Sequence, residues 1–357
     1  MKSFVKISLA LIVATFLVGC SRVENTVVEP QNSIYHWKTT FDINEAEAEF
    51  LKKHNIERIY VKMYDVATEH NFLLGKSDIV PIATTKFVST IPGNVEIVPV
   101  VYITIEALRA MGGREAELAE LIVERTLAMC RYNKCGKIRE IQLDCDWTSS
   151  SKEVYEKLCG IVRTTLREKD IDLSITVRLH QLRESAPPAD RGVLMLYNTG
   201  LLKRYYTKNS ILDIADVKLF VKDGRYSIPL AYAYPAFGWG VKFKYNEFEA
   251  IVPEGTVASE DEYVRNERAT VSEIIEVKTF VEEKLGKPQS GNILYHLDDA
   301  QLKKYNTILS IEKDSSNKPK SRDLSEDWYA GVVFMPIHMA KNASISGVGI
   351  NTRNRLE

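Results

Sequence analysis

Eight short runs of β-branched and aromatic residues recur along this chain, near residues 34, 58, 96, 139, 173, 193, 228 and 292. Most are separated by stretches whose apolar residues fall at helical spacing. The run EIVPVVYITI at 96–105 is almost continuously apolar, which suits a strand covered on both faces. Repeated strand–helix units join their strands in parallel, because a parallel connection needs a long crossover. Eight such units in about 280 residues fit a closed α/β architecture, the (β/α)8 TIM-type barrel, better than an open sheet. A doubly wound open sheet is the rival, but no Gly-rich phosphate loop follows the first run.

The pattern also sets expectations for the connecting segments. Asp42 with Glu45 offers a helix start that runs to His54, and 115–132 is amphipathic. Ser149 to Ser151 precede a helix over 152–168, and helical patterns follow at 209–221 and 261–285. Asp298 opens a closing helix. Residues 66–94 lack helical periodicity, hold extended patches and the turn signal Pro92-Gly93, and read as an elaborated loop after the second strand. An extra strand is possible through Phe243.

The first 19 residues have the form of a targeting segment. Lys2 and Lys6 precede an apolar run at 7–18 that is short for a membrane span. It ends in Leu17-Val18-Gly19-Cys20, which resembles the lipobox of bacterial lipoproteins. That resemblance implies cleavage before Cys20, lipid on its thiol, residues 20–32 as a polar tether, and a membrane-anchored place in the bacterial cell envelope. Ser21 after Cys20 suggests the outer membrane, again by resemblance. The barrel domain is expected over 33–311, with 312–357 a polar tail of unassigned role that carries an apolar run at 331–337. The formal charge is −1, and losing Lys2 and Lys6 makes the remainder slightly more acidic, which argues against a nucleic-acid partner. Cys130, Cys135, Cys145 and Cys159 show no metal-ligand spacing, so neither metal nor cofactor is expected. Cys130 and Cys135 are close enough in sequence to close a small disulfide loop in an oxidising compartment.

The chemistry centres on Ile141-Gln142-Leu143-Asp144-Cys145-Asp146-Trp147-Thr148. Strand alternation puts Gln142, Asp144 and Asp146 on one face, and two carboxylates there need pairing or a polar cleft. The bland alternative is a buried, hydrogen-bonding Asp144 with Asp146 capping the next helix. Barrels place working residues at the C-terminal ends of their strands. The other strand ends supply His36, Trp37, Lys38, Lys62, Asp65, Tyr102, Arg178, His180, Gln181, Tyr197, Asn198, Trp239, His296 and Asp298, with Trp147 beside the carboxylates. Carboxylates, amides and aromatic rings converging on one cleft suit a carbohydrate ligand, and an oxocarbenium-like transition state needs carboxylates on the wall. Lys38, Lys62 and Arg178 could instead hold an acidic sugar substituent.

Two resemblances bear on this strand. Asp144-Cys-Asp146-Trp-Thr148 resembles the end of the Asp-x-Asp-x-Glu motif on the fourth strand of family 18 glycoside hydrolases, which are (β/α)8 chitinase-like enzymes. In that family the final Glu is the general acid and the second Asp assists the substrate's N-acetyl group; here Thr148 takes the Glu position. More broadly, the segments Tyr35-His36-Trp37-Lys38-Thr39, Gln142-Leu-Asp144-Cys-Asp146-Trp-Thr, Leu173-Ser-Ile-Thr-Val-Arg178-Leu-His180-Gln181 and Arg191-Gly-Val-Leu-Met-Leu-Tyr197-Asn198 resemble uncharacterised barrel-like bacterial lipoproteins. The expectation is a glycosidase-like envelope lipoprotein with Asp146 as acid/base, Asp144 as partner or nucleophile, and Arg178 and His180 in the same cleft. The alternative is a glycan binder that uses that cleft without catalysis.

Overall fold

A computed structural model describes residues 32–71 and 75–301. Eight strands pair in parallel and close on themselves: β1 (Ser33–His36), β2 (Arg58–Asn71), β3 (Glu96–Ile103), β4 (Glu140–Asp144), β5 (Asp172–Val177), β6 (Arg191–Met195), β7 (Leu230–Pro235) and β8 (Asn292–Tyr295). Closure comes from β1, which pairs with β2 on one side and with β8 on the other. The chain is therefore a (β/α)8 TIM-type barrel, as the eight recurring runs imply. The leader, Cys20 and the tether to residue 31 lie outside the described residues, as do 302–357.

Six helices lie between the strands among the described residues: α1 (Glu45–Lys53), α2 (Ile105–Ala110), α3 (Glu115–Tyr132), α4 (Lys152–Arg167), α5 (Ile214–Phe220) and α6 (Val271–Leu285). α1 starts two residues later than expected, because Asn44 and Glu47, rather than Asp42 and Glu45, form the reciprocal cap. α5 begins only at Ile214, where the Asp213 side chain accepts from the Ala215 N–H. The stretch expected as one long helix at 261–285 is divided. Glu262–Arg268 is a strand with Arg265 and Glu267 buried at period two, and α6 opens at a new cap formed by Thr270 and Glu273.

Two connections carry antiparallel strands, one in place of a helix and one ahead of α6. The segment after β2 is a hairpin, Lys76–Ile82 pairing with the outer half of β2. Between β7 and α6, Gly238–Lys244, Glu247–Val252 and Glu262–Arg268 form a three-stranded sheet. Gly240 has to be a glycine there, since a Cβ would meet Val264 and Val252 at 2.8 and 2.9 Å. β5 leads to β6 through a 3-10 turn, Leu179–Arg183.

The outward faces of the strands bury Ile141, Leu143 and Cys145 under α4, while the inward faces are polar on β4 and β5 and carry Val98, Val100, Val193 and Ala233 on their neighbours. At the floor, Glu140 is buried against Tyr60, whose hydroxyl donates at 3.1 Å, and against Arg191 and Arg58 at 3.4 and 3.6 Å. One layer up, the Tyr35 hydroxyl donates to Gln142 at 2.7 Å, and Gln142 donates to Ser174 at 3.3 Å. Taking one partner from a buried charge cluster strands the others. Glu140→Ala should therefore cost about 3 kcal/mol, because Arg58 and Arg191 lose their shared buried carboxylate and keep only Glu96 and Asp172 nearer the surface. Denaturant unfolding measures it, and a loss below about 1 kcal/mol would show that the floor is solvated instead.

Candidate functional site

The mouth of the barrel, at the C-terminal strand ends, holds a cleft of about 340 Å³. Trp37, Lys62, Asp65, Tyr102, Asp144, Asp146, Arg178, Tyr197 and Asn198 line it, together with Met195 and Tyr295. Strand parity explains most of this set. Tyr35 and Trp37 point the same way from β1, as do Gln142 and Asp144 from β4 and Ser174, Thr176 and Arg178 from β5. On β2 an irregularity between Lys62 and Tyr64 resets the alternation. Lys62 and Asp65 both reach the cleft, whereas Tyr64 turns outward to the Ile122 carbonyl of α3.

Arg178 is the hub of the site. Its Nε donates to Asp146, its Nη2 lies 3.8 Å from Asp144, and its Nη1 reaches the Met195 sulfur at 3.0 Å. Asp144 is 2 % exposed and accepts from the Thr176 hydroxyl at 2.6 Å. Burial pushes the Asp144 carboxyl above the usual carboxylate range; Arg178 pulls it down, and Asp146 adds to the rise. Asp146 sits at the rim with its side chain 49 % exposed. It pairs with Arg178 and does not cap α4, whose N-cap is Ser151. The Tyr102 phenol is pushed up to about 12 by burial and by the two carboxylates. Opposite, Lys62 pairs with Asp65 at 2.8 Å and lies 5.9 Å from the Trp37 ring.

The remaining wall is aromatic. Tyr197 and Tyr295 stack at 4.5 Å, and Trp37 approaches Tyr295 at 5.9 Å. The Tyr197 hydroxyl is buried and finds no hydrogen-bond partner among the described residues. Sequence reasoning missed Met195 and Tyr295. Met195 shares inward parity with Tyr197, and β8 ends at Tyr295 rather than at the later residues expected.

Several expected site residues lie elsewhere. β5 ends at Val177, so His180 falls on the 3-10 turn and is exposed, not beside Arg178 on a strand face. Gln181 is buried in that turn, bonding the Arg178 N–H and the Trp147 carbonyl. Trp147 is itself core, packed on Tyr155. Trp239 belongs to the three-stranded sheet, where its indole N–H donates to Glu267 at 2.8 Å. Thr148 is exposed and bonds Ser150, away from the cleft lining. His36, Lys38, His296 and Asp298 form a separate cluster outside the barrel wall. Lys38 bridges Glu47 at 3.0 Å and Asp298 at 3.2 Å, and His36 packs on Phe41.

No family model and no curated protein match this chain. Among solved structures, it is similar to a chitinase from Chromobacterium violaceum at 12 % identity and TM-score 0.49, covering 79 % of this chain and 99 % of that one. A chitinase-like agglutinin from Robinia pseudoacacia gives 11 % and 0.48, covering 85 % and 99 %. The spore cortex-lytic enzyme of Bacillus cereus gives 12 % and 0.46, covering 75 % and 71 %. With TM-scores below 0.5, these likenesses bear neither on the fold, which the closed barrel defines by itself, nor on the use of the cleft.

The histidine cluster gives the protein an acid-sensitive flank. Burial, aided by Lys38, lowers both His36 and His296 to about 4. The unfolded chain therefore takes up protons first as pH falls. The neutral pair contributes full stability above pH 6.5, and this is lost as pH drops from 6.5 to about 4. Each histidine accounts for about 3 kcal/mol over that window. His36→Phe should flatten the fall of Tm between those pH values; an unchanged slope would exclude the cluster as its source.

Proposed function

We propose that the barrel mouth is a saccharide site with glycosidase-like chemistry. The carrying observation is that one strand end presents two carboxylates in opposite settings. Asp144 is sealed in, with its proton affinity raised by burial, and Asp146 stands at the rim in an ion pair with Arg178. Acid/base pairs are built by separating the environments of neighbouring carboxylates in this way. Asp146 is the one a ligand can reach, so it takes the acid/base role, protonating the leaving oxygen and then activating water. Asp144 lies behind it and sets the local charge. The stacked Tyr197 and Tyr295 rings and Trp37 offer apolar faces to a pyranose, and the unpartnered Tyr197 hydroxyl, Asn198 and Lys62 are suited to its hydroxyls.

Binding without turnover is the second reading. It is favoured by Thr148 in place of the acid in the family 18 pattern, and by the partner that each cleft carboxylate already has: Lys62 for Asp65, Thr176 for Asp144 and Arg178 for Asp146. Calorimetry and reducing-end assays on a panel of neutral, amino and acidic oligosaccharides separate the two. The hydrolase reading expects sugar release that falls about 10²–10⁴-fold in Asp146→Asn, with binding changed far less. Binding with no release supports the second reading, and no binding across the panel removes both.

The protein is further proposed to be held at the cell envelope by lipid on Cys20. Cys20→Ala should leave the chain unlipidated, with altered mobility, and released from membranes or unprocessed. A variant that keeps wild-type mobility and stays with membranes after a high-salt wash would contradict this.

A further inference from the structure

Three helices hand the chain to the next strand through the same turn. After α1, the Ile56 N–H bonds the Leu51 carbonyl at 2.9 Å and the Asn55 N–H bonds Lys52 at 3.3 Å. After α3, Cys135 bonds Cys130 at 2.9 Å and Lys134 bonds Arg131 at 3.2 Å. After α4, Ile171 bonds Leu166 at 3.1 Å and Asp170 bonds Arg167 at 3.2 Å. In each, the residue before the last donor is left-handed: Asn55, Lys134 and Asp170, at φ 50°, 54° and 54°. This double bond pattern is the Schellman ending, and it brings the side chains of its first and last residues together. Two of the three turns fill that contact with a buried leucine and isoleucine, Leu51 with Ile56 and Leu166 with Ile171. The third fills it with two thiols.

We propose that Cys130 and Cys135 close a disulfide that staples the end of α3 to the chain entering β4. Both residues are 3 % exposed, and each thiol is the main influence on the other's proton affinity. The turn that disulfide geometry requires, with short Cα separation and converging side chains, is already set by the backbone bonds. Either thiol of the unburied turn can open the exchange, Cys135 being one of them. Its thiolate attacks a small disulfide such as oxidised glutathione, forming a mixed disulfide and releasing one glutathione thiol. Cys130 then loses its proton and attacks the Cys135 sulfur, expelling the second glutathione thiol. Two protein thiols are oxidised and one glutathione disulfide is reduced. The exchange takes place during folding, before the turn is buried. Cys145 and Cys159, buried in the α4 packing, are outside this turn and stay reduced.

Trypsin sites at Arg125, Arg131, Lys134 and Lys137 make the bond directly readable. The full-length protein is unfolded in reductant, then refolded in a glutathione redox buffer. It is quenched in acid, denatured, labelled with N-ethylmaleimide and digested. The expected result is peptide 126–131 joined to peptide 135–137, with label on Cys145 and Cys159. Reductant should then lower Tm by about 5 °C. Cys130→Leu with Cys135→Ile, the pair carried by the other two turns, should remain folded with a Tm that reductant does not move. Label on both Cys130 and Cys135, or linkage of either to another cysteine, would overturn the proposal. A linked peptide with a Tm insensitive to reductant would overturn the staple. None of these readouts depends on a saccharide, so they stand apart from the fate of the cleft reading.

Discussion

Buried charge inside a closed barrel is the constraint on which this structure depends. A parallel barrel has no sheet edge, and its interior must be filled by inward side chains. Here that filling is polar along β4 and β5 and apolar where Val98, Val100, Val193 and Ala233 face inward, so each polar layer has to supply its own partners. Glu140 is answered by Tyr60, Arg58 and Arg191, and Gln142 by Tyr35 and Ser174. Asp144 is answered by Thr176 and Arg178. The column runs along one strand, β4, whose opposite face is apolar and lies under α4.

Moving up that column, the partners become less complete. The floor is closed by two arginines, whereas the mouth leaves Asp146 at the rim and the Tyr197 hydroxyl without a partner among the described residues. A polar cluster that is saturated at one end and open at the other is suited to receive hydroxyl-rich ligands at the open end. The aromatic stack on the far wall adds the apolar surface that orientation of a sugar ring needs. The antiparallel insertions reinforce this end. Glu267, buried between Trp239 and Ser210, ties the sheet after β7 to the loop that follows Asn198.

The strand count and the barrel were legible because buried parallel strands leave strong apolar runs. Asp144, Asp146 and Arg178 were legible from alternation on β4 and β5. Parity failed where the ladder stops or slips, since neither event leaves a signal in residue type. His180 was placed on β5 only because the strand was read three residues too long. His36, Lys38, His296 and Asp298 were grouped with the cleft because whole strand ends were taken, although alternate residues face outward. The helix pattern at 261–268 misled because charged residues of good helix propensity also suit a strand that buries Arg265 and Glu267 as a pair.

The most direct test of the central claim is a crystal structure of the protein soaked with the tightest-binding oligosaccharide from the panel. The account predicts a sugar ring against Tyr197, Tyr295 and Trp37, with a hydroxyl or the glycosidic oxygen within hydrogen-bond distance of Asp146. A saccharide seated elsewhere, such as the outer groove beside α3, with the barrel mouth empty, would contradict it.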